Sequence, residues 1–371
     1  MEPSQKMRMP TDWGVGQQGP ADLMHLDTPA IVVDLAVVER NIQRVQSICD
    51  KAGIKNRPHI KTHKSVELAK LQLKYGAAGI ACQKLGEAEV MASAGIDDIL
   101  ISYNLLGAAK HARLADLHNR ISLAVCCDNM IVAEHLSEAI SATGKRLNVL
   151  VECDTGRHRC GVLSPQAAVA LAIEIDRLPG LHFNGLLLYP PNGAWREATQ
   201  FVTETRQLCS HTGLEIETVS TGGTPNLAYA GRFCETEFRS GTSIFNDRQM
   251  VTLDAARPAD CALFVHATVI SHPEAGRIML DSGSKTLTSD LVGFDDYGLL
   301  VDYPEARLMQ FAEEHGFVDV SQCQSVPQIG VIVRILPNHV CPVVNLFDQI
   351  NLVDGTGNQR KLQIDARGRV N

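Results

Sequence analysis

Asn148-Val149-Leu150-Val151-Glu152 is a short apolar run that ends on a carboxylate, and the stretch 165–178 after it carries apolar residues at helical spacing. The pairing recurs along the chain. Strand signals fall at 58–61, 79–83, 98–102, 121–126, 148–152, 183–189, 216–221 and 237–243, and each but the last precedes a helix-compatible stretch such as 85–94. A repeated strand-helix order calls for parallel strands, since a tight hairpin can only return the chain antiparallel. Eight such units predict an α/β fold, a closed (β/α)8 TIM barrel of the usual ~250-residue size. A doubly wound sheet is the alternative. It would carry a G-x-G-x-x-G turn after its first strand, and none follows 30–35.

Outward from the barrel, residues 1–22 are polar and rich in Pro and Gly and read as an arm. After Thr28-Pro29 comes a strand-like run, 30–35, and then an amphipathic helix over 37–52 with Val38, Ile42, Val45 and Ile48 on one side and Gly53 past its end. Beyond about residue 258 the character changes: 265–270, 277–281, 328–336 and 348–352 are strand-like, and a helical period survives only at 305–314. The expected organisation is an arm over 1–22, a barrel over 23–258 and a C-terminal β-rich domain over 259–371, which the early strand 30–35 joins.

At 371 residues, 45% apolar and 20% charged, the chain can bury a large core and exceeds one average domain. A net charge of -8 with dispersed basic residues argues against nucleic acid and for a small-molecule partner. Several of the eleven cysteines sit inside apolar runs, as in Gly79-Ile80-Ala81-Cys82 and Leu123-Ala124-Val125-Cys126-Cys127. With no secretory signal in the polar N-terminus, they read as buried thiols of a cytoplasmic protein. No run approaches the ~18 apolar residues of a membrane span.

In a barrel the C-terminal strand ends gather at one face, and the suggestive residues fall there: Lys61, Gln83, Glu152, Tyr189, 220–224 and 239–242. Lys61, within Arg57-Pro58-His59-Ile60-Lys61-Thr62-His63-Lys64, has apolar and β-branched neighbours at a strand end. Desolvation there is expected to lower its pKa and leave an amine able to form the Schiff base that pyridoxal phosphate needs. A lone lysine in a strand is more often a surface residue; the convergence of several strand ends favours function. Thr221-Gly222-Gly223-Thr224 and Ser240-Gly241-Thr242-Ser243 follow the seventh and eighth strands, where barrels bind phosphate through backbone N–H groups and hydroxyls. Two ordinary turns are the plainer reading. Arg159 and Arg239 either face the cofactor ring, holding its pyridine nitrogen unprotonated, or pair with Glu152, Asp154 or Glu237. His339 and Cys341 in Pro337-Asn338-His339-Val340-Cys341 are two apart, which in a strand puts both on one face to share an ion. Two ligands leave positions open, as a catalytic metal requires.

Taken together these segments resemble the fold type III pyridoxal-phosphate enzymes of the alanine racemase-like superfamily, in the branch of D-threonine aldolases and eukaryotic-type D-serine dehydratases. The likeness runs from Asp27-Thr28-Pro29-Ala30 through the lysine motif, Arg159-Cys160-Gly161, the Thr-Gly-Gly-Thr turn and Asp281-Ser282-Gly283-Ser284-Lys285 to His339 and Cys341. It implies that Lys61 carries the cofactor, that Tyr189 and the two glycine turns hold its ring and phosphate, and that His339 and Cys341 bind a divalent cation (zinc, manganese or magnesium). It further implies a homodimer acting on a D-amino acid with a β-hydroxyl.

Within the branch the residues divide. The stretch corresponding to the racemase tyrosine motif is Asp281-Ser282-Gly283-Ser284-Lys285, without a tyrosine, which disfavours racemisation. His-x-Cys resembles the dehydratases, whereas Pro342-Val343-Val344-Asn345-Leu346-Phe347-Asp348 resembles the aldolase continuation. Leu188-Tyr189-Pro190-Pro191-Asn192-Gly193 lacks the histidine that commonly follows the aldolase tyrosine, so His63 or a metal-bound hydroxide stands in as base. The expected reaction is cleavage to glycine and an aldehyde. Dehydration of D-serine or D-threonine is the alternative, and a non-catalytic pyridoxal-phosphate carrier is the reading from another class.

Overall fold

The computed structural model describes residues 26–371, so the arm expected over 1–22 lies outside the described residues. Residues through Ile42 group with Thr242–Gly368 in one compact unit, and Gln43–Gly241 with Arg369–Asn371 in another. The first described strand, β1 (Ala30–Asp34), belongs to the former.

The barrel unit holds β2 (Lys55–Asn56), β3 (Ile80–Cys82), β4 (Asp98–Ile101), β5 (Ser122–Cys127), β6 (Leu147–Cys153), β7 (Leu181–Leu188), β8 (Thr218–Gly222) and β9 (Glu237–Arg239). All pair in parallel, in the order β2-β9-β8-β7-β6-β5-β4-β3. A parallel bridge between His59 and Ala81 then joins the two ends of that ladder, helped by hydrogen bonds from Ala78 N to Asn56 O and from Ala81 N to Pro58 O. The sheet is thereby a closed (β/α)8 barrel. Two of its helices begin where a side chain satisfies one of the first free N–H groups: Ser164 Oγ accepts from Ala167 N, with Pro165 opening the helix Pro165–Arg177, and Asn129 Oδ1 accepts from Val132 N. Leu100, Cys126, Leu150 and Leu187, from four adjacent strands, make one buried cluster.

The other unit is built on a nine-stranded sheet of β1, β10 (Leu263–Glu274), β11 (Arg277–Leu280), β12 (Gly298–Leu300), β13 (Arg307–Phe311), β14 (Gly316–Asp319), β15 (Ile332–Pro337), β16 (Gln349–Val353) and β17 (Gln359–Gln363). β1 lies inside it, antiparallel to β10 and parallel to β16, and its Ala30-Ile31-Val32-Val33 run is buried throughout. An unbroken apolar run is what a strand covered on both faces needs.

Three local expectations are corrected. The helix expected at 305–314 is β13, where Leu308 alone is fully buried between exposed neighbours and β14 pairs antiparallel to it. It is a strand rather than a helix because an adjacent hairpin partner decides the matter. The strand expected at 58–61 ends at Asn56, and Lys61 sits in a 3-10 turn, Ile60–Thr62, since Pro58 has no N–H for a ladder. His339 and Cys341 do not share a strand face: β15 ends at Pro337, His339 is the extended residue before a helix, and Cys341 lies in the first turn of Val340–Leu346. Pro342 is tolerated there because the first turn needs no backbone donor. No disulfide joins any of the eleven cysteines, Cys82, Cys126 and Cys127 among the buried ones. Among the described residues no helix is long and apolar enough to cross a membrane.

Candidate active site

The bridge that closes the barrel also places Lys61. His59, at the bridge, accepts a hydrogen bond from Lys61 N on Nδ1 at 3.4 Å, so its proton lies on Nε2, which meets Gln83 Oε1 at 3.1 Å and Ser102 Oγ at 3.2 Å. Gln83 Nε2 in turn donates to Ser102 O at 3.0 Å. Burial lowers the His59 pKa well below its ordinary value, and the charges of Lys61 and Arg239 lower it further, so this is a neutral imidazole. Lys61 itself is half-buried.

His63 is not the base that the lysine motif suggested. It is fully buried, Nδ1 accepts from Ser65 N at 3.1 Å, and Nε2 meets Gln72 Oε1 at 3.2 Å, so both nitrogens are spent on structure. Lys64 is likewise committed, with Nζ 3.3 Å from Glu87 Oε1 in a buried pair.

The glycine turns lie against these groups. A Cβ on Gly241 would stand 2.9 Å from Thr62 Oγ1 and 3.1 Å from His59 O, and one on Gly223 would stand 2.7 Å from the Tyr189 ring. Gly223 also has φ +105°, a conformation that favours glycine. Gly222 packs on the Arg239 backbone across β8 and β9. Thr221 Oγ1 is buried without a hydrogen-bond partner, a polar atom that native interiors seldom leave unsatisfied. Thr242 follows Gly241 and opens a 3-10 turn.

Arg157 and Arg159 sit over the Tyr189 ring at 4.7 and 5.2 Å, and Arg159 reaches Glu152 at 3.7 Å. Burial raises the Glu152 pKa, with Arg159 opposing. Arg239 is buried and donates through Nε to Ser220 Oγ at 2.8 Å and through Nη2 to Leu188 O at 2.8 Å. Lys61, Gln83, Arg159, Tyr189, Thr221, Gly222, Gly223, Arg239 and Gly241 thus all stand at or just past the C-terminal ends of the barrel strands.

Sequence reading passed over His59, Ser102 and Asn226. Asn226 accepts from Gly193 N and donates to Pro190 O and Pro191 O, fixing the loop after Tyr189. Of these only His59 carried a signal, its place inside the lysine motif.

In the β-rich unit, His339 Nδ1 meets Asp290 Oδ2 at 2.8 Å and the imidazole hydrogen-bonds Cys341. Burial works against its charge, but Cys341, then Asp290 and Asp247, raise its pKa to about 10. Asp247 accepts from Val340 N, between the pair, at 3.1 Å. Burial pushes the Asp247 carboxyl up to about 6. Among the described residues no three His, Cys, Asp or Glu side chains gather as a metal cage. A nitrogen and a sulfur donor with an orienting carboxylate is nonetheless a fitting partial set for zinc.

Comparison with known proteins agrees with this geometry. The model of the alanine racemase N-terminal domain matches residues 33–249, and a serine dehydratase domain model matches 262–353. The chain is 34% identical over 360 residues to a D-threonine aldolase of an Arthrobacter species, covering 93% of this chain and 94% of that one. The crystal structure of D-threonine aldolase from Filomicrobium marinum matches with a TM-score of 0.87 at 32% identity, over 94% of this chain and 98% of that one. D-threo-3-hydroxyaspartate dehydratase from Delftia matches with a TM-score of 0.84 at 28% identity, over 92% and 98%. Variants of that dehydratase with alanine for a histidine, or for a cysteine two positions on, match as well, the cysteine variant in a metal-free form. With enzymes of this kind matched nearly end to end and the barrel model spanning more than half its length, the chain belongs to the D-threonine aldolase and D-serine dehydratase family of fold type III pyridoxal-phosphate lyases, in the alanine racemase-like superfamily.

Proposed function

We propose that the chain is a pyridoxal-phosphate- and divalent-metal-dependent lyase that cleaves D-β-hydroxy-α-amino acids to glycine and an aldehyde. The observation that carries this reading is the Lys61 turn packed on Gly241 beside a neutral His59, in a chain that resembles D-threonine aldolases along nearly its whole length. Two features fit the cofactor: the unpartnered Thr221 hydroxyl, and the close packing of Gly223 on the Tyr189 ring, which any side chain at 223 would disturb.

Thr221, Gly222, Gly223, Gly241 and Thr242 would hold the phosphate, Tyr189, Gln83 and Arg159 the ring, Arg239 the pyridine nitrogen and Lys61 the carbonyl carbon. His339 and Cys341 would hold the cation, and their nitrogen and sulfur donors suit zinc better than manganese or magnesium. When bound, the cofactor supplies an electron sink for cleavage at Cα and the cation lowers the pKa of a β-hydroxyl. Arg239 donates and never accepts, so it would keep a pyridine nitrogen held beside it unprotonated. His59 orients the Lys61 turn without adding charge next to the amine. With His63 engaged at both nitrogens, removal of the hydroxyl proton falls to a group outside the lysine motif.

The second reading is dehydration to an oxo acid and ammonia. It is favoured by the His-x-Cys spacing, which the Delftia dehydratase variants share. D-threonine separates the two: glycine and acetaldehyde are the expected products, whereas mainly 2-oxobutanoate and ammonia would put the dehydratase in place of the aldolase. L-threonine should be inert. A chelator should abolish turnover reversibly, with zinc restoring it and the far-UV circular dichroism unchanged.

A further inference from the structure

A chain of polar groups that the proposed chemistry does not use leads to Arg239. Asp98 accepts from Arg57 Nη1 at 2.7 Å, and Arg57 Nε donates to Glu237 Oε2 at 2.6 Å. Ser220 Oγ meets Glu237 Oε1 at 2.6 Å and Arg239 Nε at 2.8 Å. Glu237 and Ser220 are buried, Glu237 at 4% exposure and Ser220 at 0%.

The donors and acceptors permit one direction only. An ionised carboxylate accepts and cannot donate, so the Ser220 hydroxyl proton must point at Glu237. The Ser220 oxygen then has its lone pairs left for Arg239 Nε, which can only donate. With Nε on Ser220 Oγ and Nη2 on Leu188 O and Ser220 O, the guanidinium plane is fixed. Its Nη1 has no hydrogen-bond partner among the described residues. Burial works against the Arg239 charge, and Glu237 is the first of the groups that sustain it.

We propose that Glu237 is a positioning residue that, through Ser220, sets the orientation of the Arg239 guanidinium and so the way the barrel holds the pyridine ring of its cofactor. The inference rests on the reading of Arg239 given under the proposed function. It touches no reacting atom itself; its effect passes through one hydroxyl.

The test compares E237Q, S220A, S220T and R239A, each loaded with pyridoxal phosphate. It reads the visible absorption band of the bound cofactor against pH, together with the cofactor dissociation constant. R239A, E237Q and S220A are expected to shift the band's titration in the same direction. They should also weaken cofactor binding at least about tenfold, the loss typical of one hydrogen bond to a charged group. S220T, which keeps the hydroxyl, should remain close to the native protein. If R239A moves the band while S220A leaves it native, the relay is overturned and the reading of Arg239 stands. If R239A also leaves the band unchanged, both fall. E237Q leaves the buried Arg57 short of a charge partner; should it not fold, the S220A and S220T pair decides.

Discussion

Lys61 is distinguished from the other lysines of its neighbourhood by what does not hold it. Lys64 is locked in a buried pair with Glu87. Lys285, in the other lysine-bearing motif, is an exposed partner of Glu314 at 2.7 Å. An amine paired with a carboxylate stays protonated and is a poor nucleophile. Borohydride reduction of the cofactor-loaded protein, followed by peptide mapping, is therefore expected to leave the pyridoxyl group on Lys61. Label on Lys64 or Lys285 would overturn the assignment. The motif around Lys61 was legible as a string, but the division of labour among its histidines was not. His59 and His63 are alike in sequence; one contacts the Lys61 turn and the other is spent on Ser65 and Gln72.

At the scale of elements, the residues proposed to act sit in the turns that follow strands. β8 ends in two glycines, and the second adopts φ +105° against the Tyr189 ring. Gly223→Ala is expected to cost about 2–3 kcal/mol, combining positive-φ strain with a Cβ driven into an aromatic ring, and to release cofactor more readily. Gly144, at φ +72° with nothing within 4 Å of its Cβ position, is the matched control. There alanine meets only the backbone cost, about 1 kcal/mol. Thermal unfolding of the two variants, with cofactor loss followed by dialysis, tests the difference; equal effects would mean that the contact with Tyr189 does not matter. The His339 and Cys341 pair makes the same point about turns. Spacing alone could not tell a shared strand face from a helix cap, because Pro337 and Pro342 are compatible with either until Asp247 binds the Val340 N–H.

Each compact unit of the whole molecule buries a histidine that it keeps neutral. Burial lowers His63 to about 4 in the barrel unit, and burial with the Arg334 charge lowers His266 to about 4 in the β-rich unit. The sign follows from proton counting. Between about pH 6.5 and pH 4 the unfolded chain carries protons on these rings and the folded chain does not, so stability falls as pH falls through that window. Each histidine accounts for up to about 3 kcal/mol of that loss. Asp247, raised to about 6, acts in the opposite sense, so the comparison must be with a variant. Urea unfolding at pH 7 and pH 5 should show a smaller difference in His266→Gln than in the native protein, and an unchanged difference would refute the account. By itself the sequence determined the barrel class, the β-rich second region and the family, because strand-helix alternation and short motifs are recorded in consecutive residues. Tertiary structure alone decided the rest. β1 lies between β10 and β16, residues 305–314 form a strand, and Arg57, Ser220, Glu237 and Arg239 meet in one relay. β1 meets β10 and β16, and Arg57 meets Glu237, only across most of the chain, while β13 is a strand because β14 pairs with it, so no local period can encode them.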